Sequence, residues 1–453
     1  YQLYMPSYFL GTFTEYPYLK RKKKSMKYSR YNIPVEVGDN RVLVFNSFRK
    51  SYSVTSSTFW NKYFRMDDIN SIEEPILLQM RDNGFVIDDD DDEYTSALNC
   101  KIATRLQTDV YHVVINPTLD CNLCCWYCYE THKKGSHIDQ NTEIGILNHL
   151  ELKFSVTPFK YLHLSFFGGE PFLRHKQVGH VINSIKSFCI KKGVTLRVDF
   201  TTNGTIWSPL LIEELRDITS VSFQITLDGS ISQHDKVRCL KNGGGGTYKR
   251  ILENINKIFI ELPNAHVTIR INFDDTTFDM VEALEKELLS FPPSQFRVAL
   301  HKVWQVDANT IKYEQIFDFI NTLQEHNIDV RFLDFSHGET TCYADKINSV
   351  VINYDGSIYK CTARNFNSDN KVGKLLKTGE ISWDYSKLKE YCFASIPSKC
   401  QACKIFPICT GICSQKVIEM GDQTPCMIES QFSIEDYILY NYKVNQILSI
   451  QKS

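Results

Sequence analysis

From residue 111 to about 330 the chain keeps one rhythm, an apolar run of strand length followed by a longer stretch of helical period. Runs of strand character lie at 112–116, 161–167, 195–201, 220–227, 266–273 and 296–301. Helices are expected near 140–155, 174–191, 208–217, 247–261, 277–290 and 312–326. Strands and helices alternating at this spacing form parallel βα units with right-handed crossovers. Six such units predict an α/β fold, a partial (β/α)6 barrel, with chemistry on the loops at the C-terminal ends of its strands. No repeat of fixed period runs through the chain.

The flanks differ. A strand pair at 41–47 and 51–55, helices near 57–64 and 72–83, and a strand at Phe85–Ile87 make a small α+β unit ending near residue 95. The acidic run Asp88–Glu93 reads as a linker or cap. Lys20–Lys24 is a basic run, a solvated surface or a site for an acidic peptide. Beyond Ser336 the alternation stops, and a loop-rich, Cys-rich region leads to a helical tail around 433–450. The expected domains are 1–99, a barrel over 105–330, a Cys-rich domain over 336–430 and a C-terminal helix over 431–453.

Composition narrows the chemistry. With 453 residues, 43% of them hydrophobic, the chain can bury a large core, which excludes a disordered or fibrous protein. Lys+Arg of 51 against Asp+Glu of 53 gives a net charge of −2, so no global positive field argues for nucleic acid. No apolar run reaches membrane-spanning length, and a soluble cytoplasmic protein is expected. The 15 cysteines are clustered: none in 1–99, four within Cys121–Cys128 and eight between Cys342 and Cys426. In an intracellular chain such clusters read as metal or redox sites. Cys100, Cys189 and Cys239 stand alone and read as small buried hydrophobes.

Residues 111–130 are YHVVINPTLDCNLCCWYCYE, a strand running into a loop that carries Cys121, Cys125 and Cys128 in a C-x3-C-x2-C spacing. Three thiolates on one loop can hold three irons of a cubane cluster and leave the fourth open. A structural zinc site, the alternative, wants four closed ligands. Cys124 reads as a bystander beside Cys125. The spacing, with Tyr127 before the third cysteine, resembles that of the radical S-adenosylmethionine enzymes. The resemblance implies a 4Fe-4S cluster whose open iron is chelated by S-adenosylmethionine, and cleavage of that cofactor to a hydrogen-abstracting 5′-deoxyadenosyl radical.

Other segments extend the likeness. Gly168-Gly169-Glu170-Pro171 after the second strand is similar to the family's GGEP motif, in which backbone carbonyls and Glu170 take the methionine ammonium. Thr202 and Asn203, in TTNG at 201–204, resemble its TNG element. ITLDGSISQHDKVR at 225–238 resembles the SLDG…HDxxR segment, with Thr226 where Ser is common. Asp228 and His234 there are structural or cofactor-facing, and Arg238 is placed to pair with a carboxylate of cofactor or substrate. The glycine run at 243–246 reads as a flexible connection.

The second group runs Cys342-x13-Gly356-x4-Cys361, then Cys400-x2-Cys403-x5-Cys409-x3-Cys413, then Cys426. It resembles the seven-cysteine SPASM extension, whose alternative is a zinc ribbon of Cys400, Cys403, Cys409 and Cys413. The resemblance implies two auxiliary 4Fe-4S clusters, three clusters in all. Cys342, Cys361 and Cys413 would hold the first auxiliary cluster, and Cys400, Cys403, Cys409 and Cys426 the second. The first is then one ligand short, with Cys392 and His337 as candidates to close it. Left open, its iron could bind a substrate thiolate.

SPASM enzymes commonly modify peptides. Sulfatase maturases carry Asp after the cysteine matching Cys361, where this chain has Thr362. Maturases of ribosomally made peptides often carry an N-terminal winged-helix leader-recognition element (RRE), which takes the leader as an added strand. Residues 30–95 are similar to one in pattern, with a barrel cap as the other reading. The expectation is a peptide maturase installing a thioether or carbon–carbon crosslink or a related modification, with residues 1–99 selecting the substrate and taking no part in the chemistry. Its partners would be a precursor peptide with a leader and an external low-potential electron donor of flavodoxin or ferredoxin type. The alternatives are a sulfatase-maturase-like Cys/Ser oxidase and a non-catalytic iron–sulfur peptide-binding module.

Overall fold

A computed structural model describes residues 25–65, 69–243, 245–307, 310–332, 341–409, 413–426 and 433–450. The Lys20–Lys24 run and the 335–339 stretch with His337 lie outside the described residues.

The N-terminal part holds β1 (Met26–Tyr28), β2 (Asn32–Glu36), β3 (Arg41–Asn46), β4 (Ser51–Ser56), α1 (Ser57–Tyr63), α2 (Glu74–Asp82), β5 (Val86–Asp88) and α3 (Glu93–Leu106). β2, β3 and β4 form an antiparallel sheet, and β1 pairs with β5. β2 escapes the sequence reading because Pro34 interrupts it, and the structure places it at a sheet edge, where proline is tolerated. The acidic run is a helix start. Asp92 accepts from the Thr95 N–H at 3.0 Å and caps α3, which continues past the boundary expected at residue 99.

The barrel strands are β6 (Val110–Asn116), β7 (Tyr161–Phe166), β8 (Thr195–Thr202), β9 (Ser220–Thr226), β10 (His266–Phe273) and β11 (Phe296–Lys302), each parallel to the next. Their helices are α4 (Gln140–Val156), α5 (His175–Lys192), α6 (Pro209–Leu215), α7 (Ile231–Val237), α8 (Tyr248–Glu261), α9 (Glu282–Leu289) and α10 (Tyr313–Glu325). α7 was not expected. α9 starts later than predicted because Asp274 accepts from the Thr276 N–H and the Thr277 hydroxyl, folding 274–277 into a turn.

Alternation along each strand sorts the side chains. Phe166, Phe200 and Phe223 lie under the helices and stack at 5.2 and 5.3 Å, within one continuous core. Their neighbours on the opposite face, Ser165, Asp199, Thr201, Gln224 and Thr226, make a polar inner wall. The sheet continues beyond the six units. β12 (Asp329–Arg331) pairs with β11, and β13 (Ser349–Asn353) runs parallel beside β6, followed by antiparallel β14 (Ser357–Tyr359), β15 (Gly373–Leu375) and β16 (Ile381–Trp383). Among the described residues this eleven-stranded sheet ends at β12 and β16 without closing on itself, so the barrel is partial. The return of β13 corrects the expectation that strand–helix architecture is left behind after Ser336. Its apolar run is short and borders the Tyr354–Gly356 turn, so it reads alone as half of a hairpin.

The rest of the chain carries α11 (Tyr385–Cys392), α12 (Ser398–Ala402), α13 (Ser414–Met420) and α14 (Ile434–Ile450). Ile33, Val35, Leu43 and Phe45 of the N-terminal sheet share one core with Ile405, Ile408 and Ile438. No helix among the described residues is long and apolar enough to cross a membrane.

Candidate active site and cysteine cradles

At the C-terminal ends of the barrel strands lies a cavity of about 180 Å³ lined by Cys121, Cys125, Cys128, Gly168, Gly169 and Arg238, among others. The cysteine loop is set from below. The Thr118 hydroxyl donates to the Ser136 carbonyl at 2.7 Å, and the Leu119 N–H to the Ser136 hydroxyl at 2.9 Å. Cys121 is buried, Cys125 half-buried and Cys128 exposed. Burial pushes the Cys121 thiol up to about 12 and raises the other two, so all three are thiols until a metal takes their protons. Among the described residues no three His, Cys, Asp or Glu side chains converge as ligands of a single ion. The three thiols instead ring a cavity, which suits a body broader than one zinc.

The glycines serve the cysteine loop. Gly168 has φ +97°, and a Cβ there would stand 2.4 Å from the Thr118 carbonyl oxygen; at Gly169 it would stand 2.2 Å from that of Asp120. The Gly169 and Glu170 N–H groups bond to those same carbonyls at 3.1 and 2.9 Å. Glu170 is fully buried and accepts from the Phe172 N–H at 2.9 Å, the Thr202 hydroxyl at 2.8 Å and the Asn203 N–H at 2.6 Å. It does not line the cavity, and neither does Pro171, which opens a buried turn behind it. Glu170, which the resemblance implies as a partner of the methionine ammonium, ties the end of β7 to the end of β8. Asn203 lines the cavity and donates to Asn122 at 2.8 Å, with Cys121 Sγ at 3.8 Å.

Arg238 is 6% exposed. Its Nη1 donates to the Tyr127 hydroxyl at 2.8 Å, and that hydroxyl donates to Asp228, which lies 4.0 Å from the guanidinium. Asn272 closes the group, its N–H on Asp228 Oδ1 at 2.8 Å and its Nδ2 on the Tyr127 hydroxyl at 3.2 Å. Burial raises the Asp228 carboxyl while Arg238 opposes it. Tyr127, Thr202, Thr226 and Arg238 line the cavity, whereas Asp228 stands behind Tyr127 and lines a separate recess. His234 is wholly buried, takes the Asp228 N–H at 3.1 Å and is pulled down to about 2 by burial, so it acts as a neutral brace.

Sequence reasoning missed Arg270, Asn272, Glu130 and the residues after β11. Arg270 pairs in register with Thr226 and shares its inward face, a signal that strand alignment carries and sequence spacing does not. Burial pushes the Glu130 carboxyl up to about 8, and its Oε2 has no hydrogen-bond partner.

The C-terminal cysteines fall into two groups. Cys400, Cys403, Cys409 and Cys426 line one small cavity of about 40 Å³. Cys342 lies close enough to Cys361 and Cys413 that each raises its thiol further, after burial has pushed it up to about 12. Cys392 is buried on α11, and the charges it feels are Lys360, Asp345 and Arg105, with no cysteine among them. Tyr391, one residue earlier, feels Cys361 and Cys413. The Thr362 hydroxyl pairs with the Tyr343 hydroxyl at 2.7 Å, and no carboxylate stands at that position.

Residues 115–288 match the Radical SAM superfamily. The chain is 24% identical over 287 residues to a probable GTP 3′,8-cyclase of Methanococcus aeolicus, covering 59% of this chain and 89% of that protein. It is 24% identical over 238 residues to the radical SAM cyclopropyl synthase TigE of Paramaledivibacter caminithermalis, covering 46% of this chain and 48% of that protein. Among solved structures, anSMEcpe with bound AdoMet superposes with a TM-score of 0.57 at 16% identity, over 75% of this chain and all 100% of that one. Streptococcus suis SuiB with S-adenosylmethionine superposes at 0.51 and 14% identity, over 89% and 100%. Both proteins have also been solved with a peptide, Cp18Cys for the first and the precursor SuiA for the second. At these identities the structures show a shared fold.

Proposed function

We propose that this chain, which carries a radical SAM domain at residues 115–288, is an S-adenosylmethionine-dependent enzyme that modifies a ribosomally made precursor peptide. The observation that carries the reading is the convergence of Cys121, Cys125 and Cys128 with Gly168, Gly169 and Arg238 on one cavity. The residues fit a 4Fe-4S cluster and S-adenosylmethionine, because Arg238 Nε is buried with no hydrogen-bond partner and the cavity holds three thiols and no fourth. When bound, that pair supplies hydrogen-abstracting radical chemistry.

The chain's own groups do the positioning. Cys121, Cys125 and Cys128 hold the iron, and the backbone at Gly168 and Gly169 offers carbonyls to an ammonium. Arg238 offers its guanidinium to a carboxylate, held in place by Tyr127, Asp228 and Asn272.

Two auxiliary 4Fe-4S clusters complete the proposal, on Cys342, Cys361 and Cys413, and on Cys400, Cys403, Cys409 and Cys426. Support comes from the single cavity shared by the last four thiols and from the separate grouping of the first three. An external flavodoxin- or ferredoxin-type donor would feed them. For the leader peptide, the flank of β4, unpaired among the described residues at the end of the N-terminal sheet, offers backbone groups for strand addition. A thioether or carbon–carbon crosslink is the favoured product. The sulfatase-maturase reading loses support at Thr362, where the base it needs is absent. Anaerobic reconstitution with iron, sulfide, reductant and S-adenosylmethionine tests the core of the reading. The expected outcome is formation of 5′-deoxyadenosine; protein holding stoichiometric zinc and no iron overturns it.

A further inference from the structure

Two cysteines that the sequence separates by more than a hundred positions meet beside the cluster loop. Cys124 Sγ stands 3.0 Å from Cys239 Sγ. The contact is built into the backbone: Leu123 and Leu240 form an antiparallel bridge, the Cys124 N–H donates to the Cys239 carbonyl at 3.1 Å, and the Lys241 N–H to the Asn122 carbonyl at 2.9 Å. That ladder sets Cys124 directly opposite Cys239, and the 3.0 Å between the sulfurs leaves only a small closing motion before an S–S bond. Neither thiol lines the cavity that Cys121, Cys125 and Cys128 face. Cys124 is exposed and Cys239 half-buried, so a small oxidant can reach the pair.

We propose that Cys124 and Cys239 are a redox-active dithiol, a modification site that takes a low-molecular-weight disulfide as its oxidant. The Cys124 thiolate attacks the oxidant, breaking its S–S bond, releasing one thiol and forming a mixed disulfide. Cys239 then attacks the Cys124 sulfur and releases the second thiol, which carries away the remaining proton. The two cysteines are oxidised by two electrons and the oxidant is reduced to two thiols, so atoms and electrons balance. The effect is to staple the cluster loop to the segment that follows Arg238. Cys124 is thereby withdrawn from pairing with Cys125 when iron is lost. Cytosolic disulfides of this kind are transient redox devices.

The test uses anaerobically reconstituted holoprotein treated with excess oxidised glutathione, then acid-quenched, alkylated and mapped by mass spectrometry without reductant. The expected result is a cross-linked peptide pair joining Cys124 to Cys239, lighter than its parts by two hydrogens, with the iron content unchanged. Cys100, expected from sequence to be a buried hydrophobe but exposed on α3 in the structure, serves as the internal control and takes up glutathione. In Cys239→Ser, Cys124 is expected to keep its glutathione as a stable adduct. Recovery of both thiols alkylated, or of separate glutathione adducts on each in the wild-type protein, overturns the proposal. So does a Cys124–Cys125 bond formed while Cys239 remains free.

Discussion

The barrel cradle and the rear four-cysteine cradle hold their thiols in opposite ways. In the barrel, three thiols come from one loop, face a cavity of about 180 Å³, and share it with the glycine turn and a buried arginine. At the rear, four thiols from the 400–426 segment surround about 40 Å³ with Ile405, Phe406 and Pro425 between them. Three ligands with room to spare suit a centre that admits another molecule, and four with none suit a closed centre that passes electrons. The walls differ as well. The barrel cradle is walled by its own domain, whereas Cys403, Cys409 and Cys426 pack in the core formed with Ile33, Val35, Leu43 and Phe45 of the N-terminal sheet. Buried Lys101 on α3 reaches the Cys409 carbonyl at 2.7 Å. The N-terminal unit therefore also walls the rear cradle, alongside the substrate selection proposed for it.

The largest effect that can break this contrast is a deletion. Removing residues 1–99 strips the cover from Ile405, Ile408 and Ile438, and each exposed side chain costs about 1.5–3 kcal/mol. Together that approaches the whole stability of a domain. The expected outcome is aggregation or loss of the rear cradle's iron. Replacing Cys121, Cys125 and Cys128 together by Ala should remove only the barrel cluster's iron and abolish cofactor cleavage, leaving circular dichroism unchanged. A deletion protein that keeps all its iron and cleaves cofactor normally would show the rear cradle to be self-supporting. A milder probe is Phe45→Ala, whose ring is buried against Tyr52 at 4.5 Å. It should cost about 3–5 kcal/mol and depress rear-cradle iron while sparing the barrel cluster, as read by EPR.

The same contrast explains what the sequence could show. All six barrel strands were legible because period-two alternation and apolar runs are local, and the barrel cysteines because their spacing lies within one loop. Glu170 was legible as a motif residue but its partners Thr202 and Asn203 were not, since they arrive from another strand. Arg270 depended on register with β9, and β13 on a partner more than two hundred residues earlier in the chain. The sharing of a core between the N-terminal sheet and the 400–426 segment is a tertiary fact with no local pattern. Cys124 read as a bystander and Cys239 as a small buried hydrophobe for the same reason, since only a loop-to-loop bridge brings them together.

A smaller effect sharpens the barrel side. Arg238 is held by Tyr127, yet its Nε is free of partners, so part of the guanidinium is available to a ligand. Arg238→Ala should weaken S-adenosylmethionine binding to the reconstituted protein by about ten- to hundredfold, the equivalent of a charged hydrogen bond worth about 1.5–3 kcal/mol. Arg238→Lys should not restore it, because a lysine cannot reproduce the planar fork. Calorimetric titration of holoprotein with the cofactor measures this directly. Unchanged affinity in Arg238→Ala would reduce the residue to a brace for Tyr127.

The smallest expected effect decides whether the rear of the molecule is closed throughout. Cys342, Cys361 and Cys413 form a group of three, and Cys392 was the described thiol positioned by sequence to complete it. In the fold the charges acting on the buried Cys392 thiol are those of Lys360, Asp345 and Arg105, with no cysteine among them. Lys360 is 1% exposed and donates to the Lys346 carbonyl at 2.6 Å and the Ser349 carbonyl at 2.9 Å, so its ammonium is already held by backbone oxygens. Cys392→Ala should therefore leave the iron content and the auxiliary-cluster spectrum unchanged, and cost only about 1 kcal/mol for the buried sulfur removed. In the same variant, a thiol peptide should still perturb the spectrum of the first auxiliary cluster if that site has a free iron. Loss of one auxiliary cluster on mutation would instead make Cys392 its fourth ligand. The rear of the protein would then contain two closed centres, with no iron there open to a substrate sulfur.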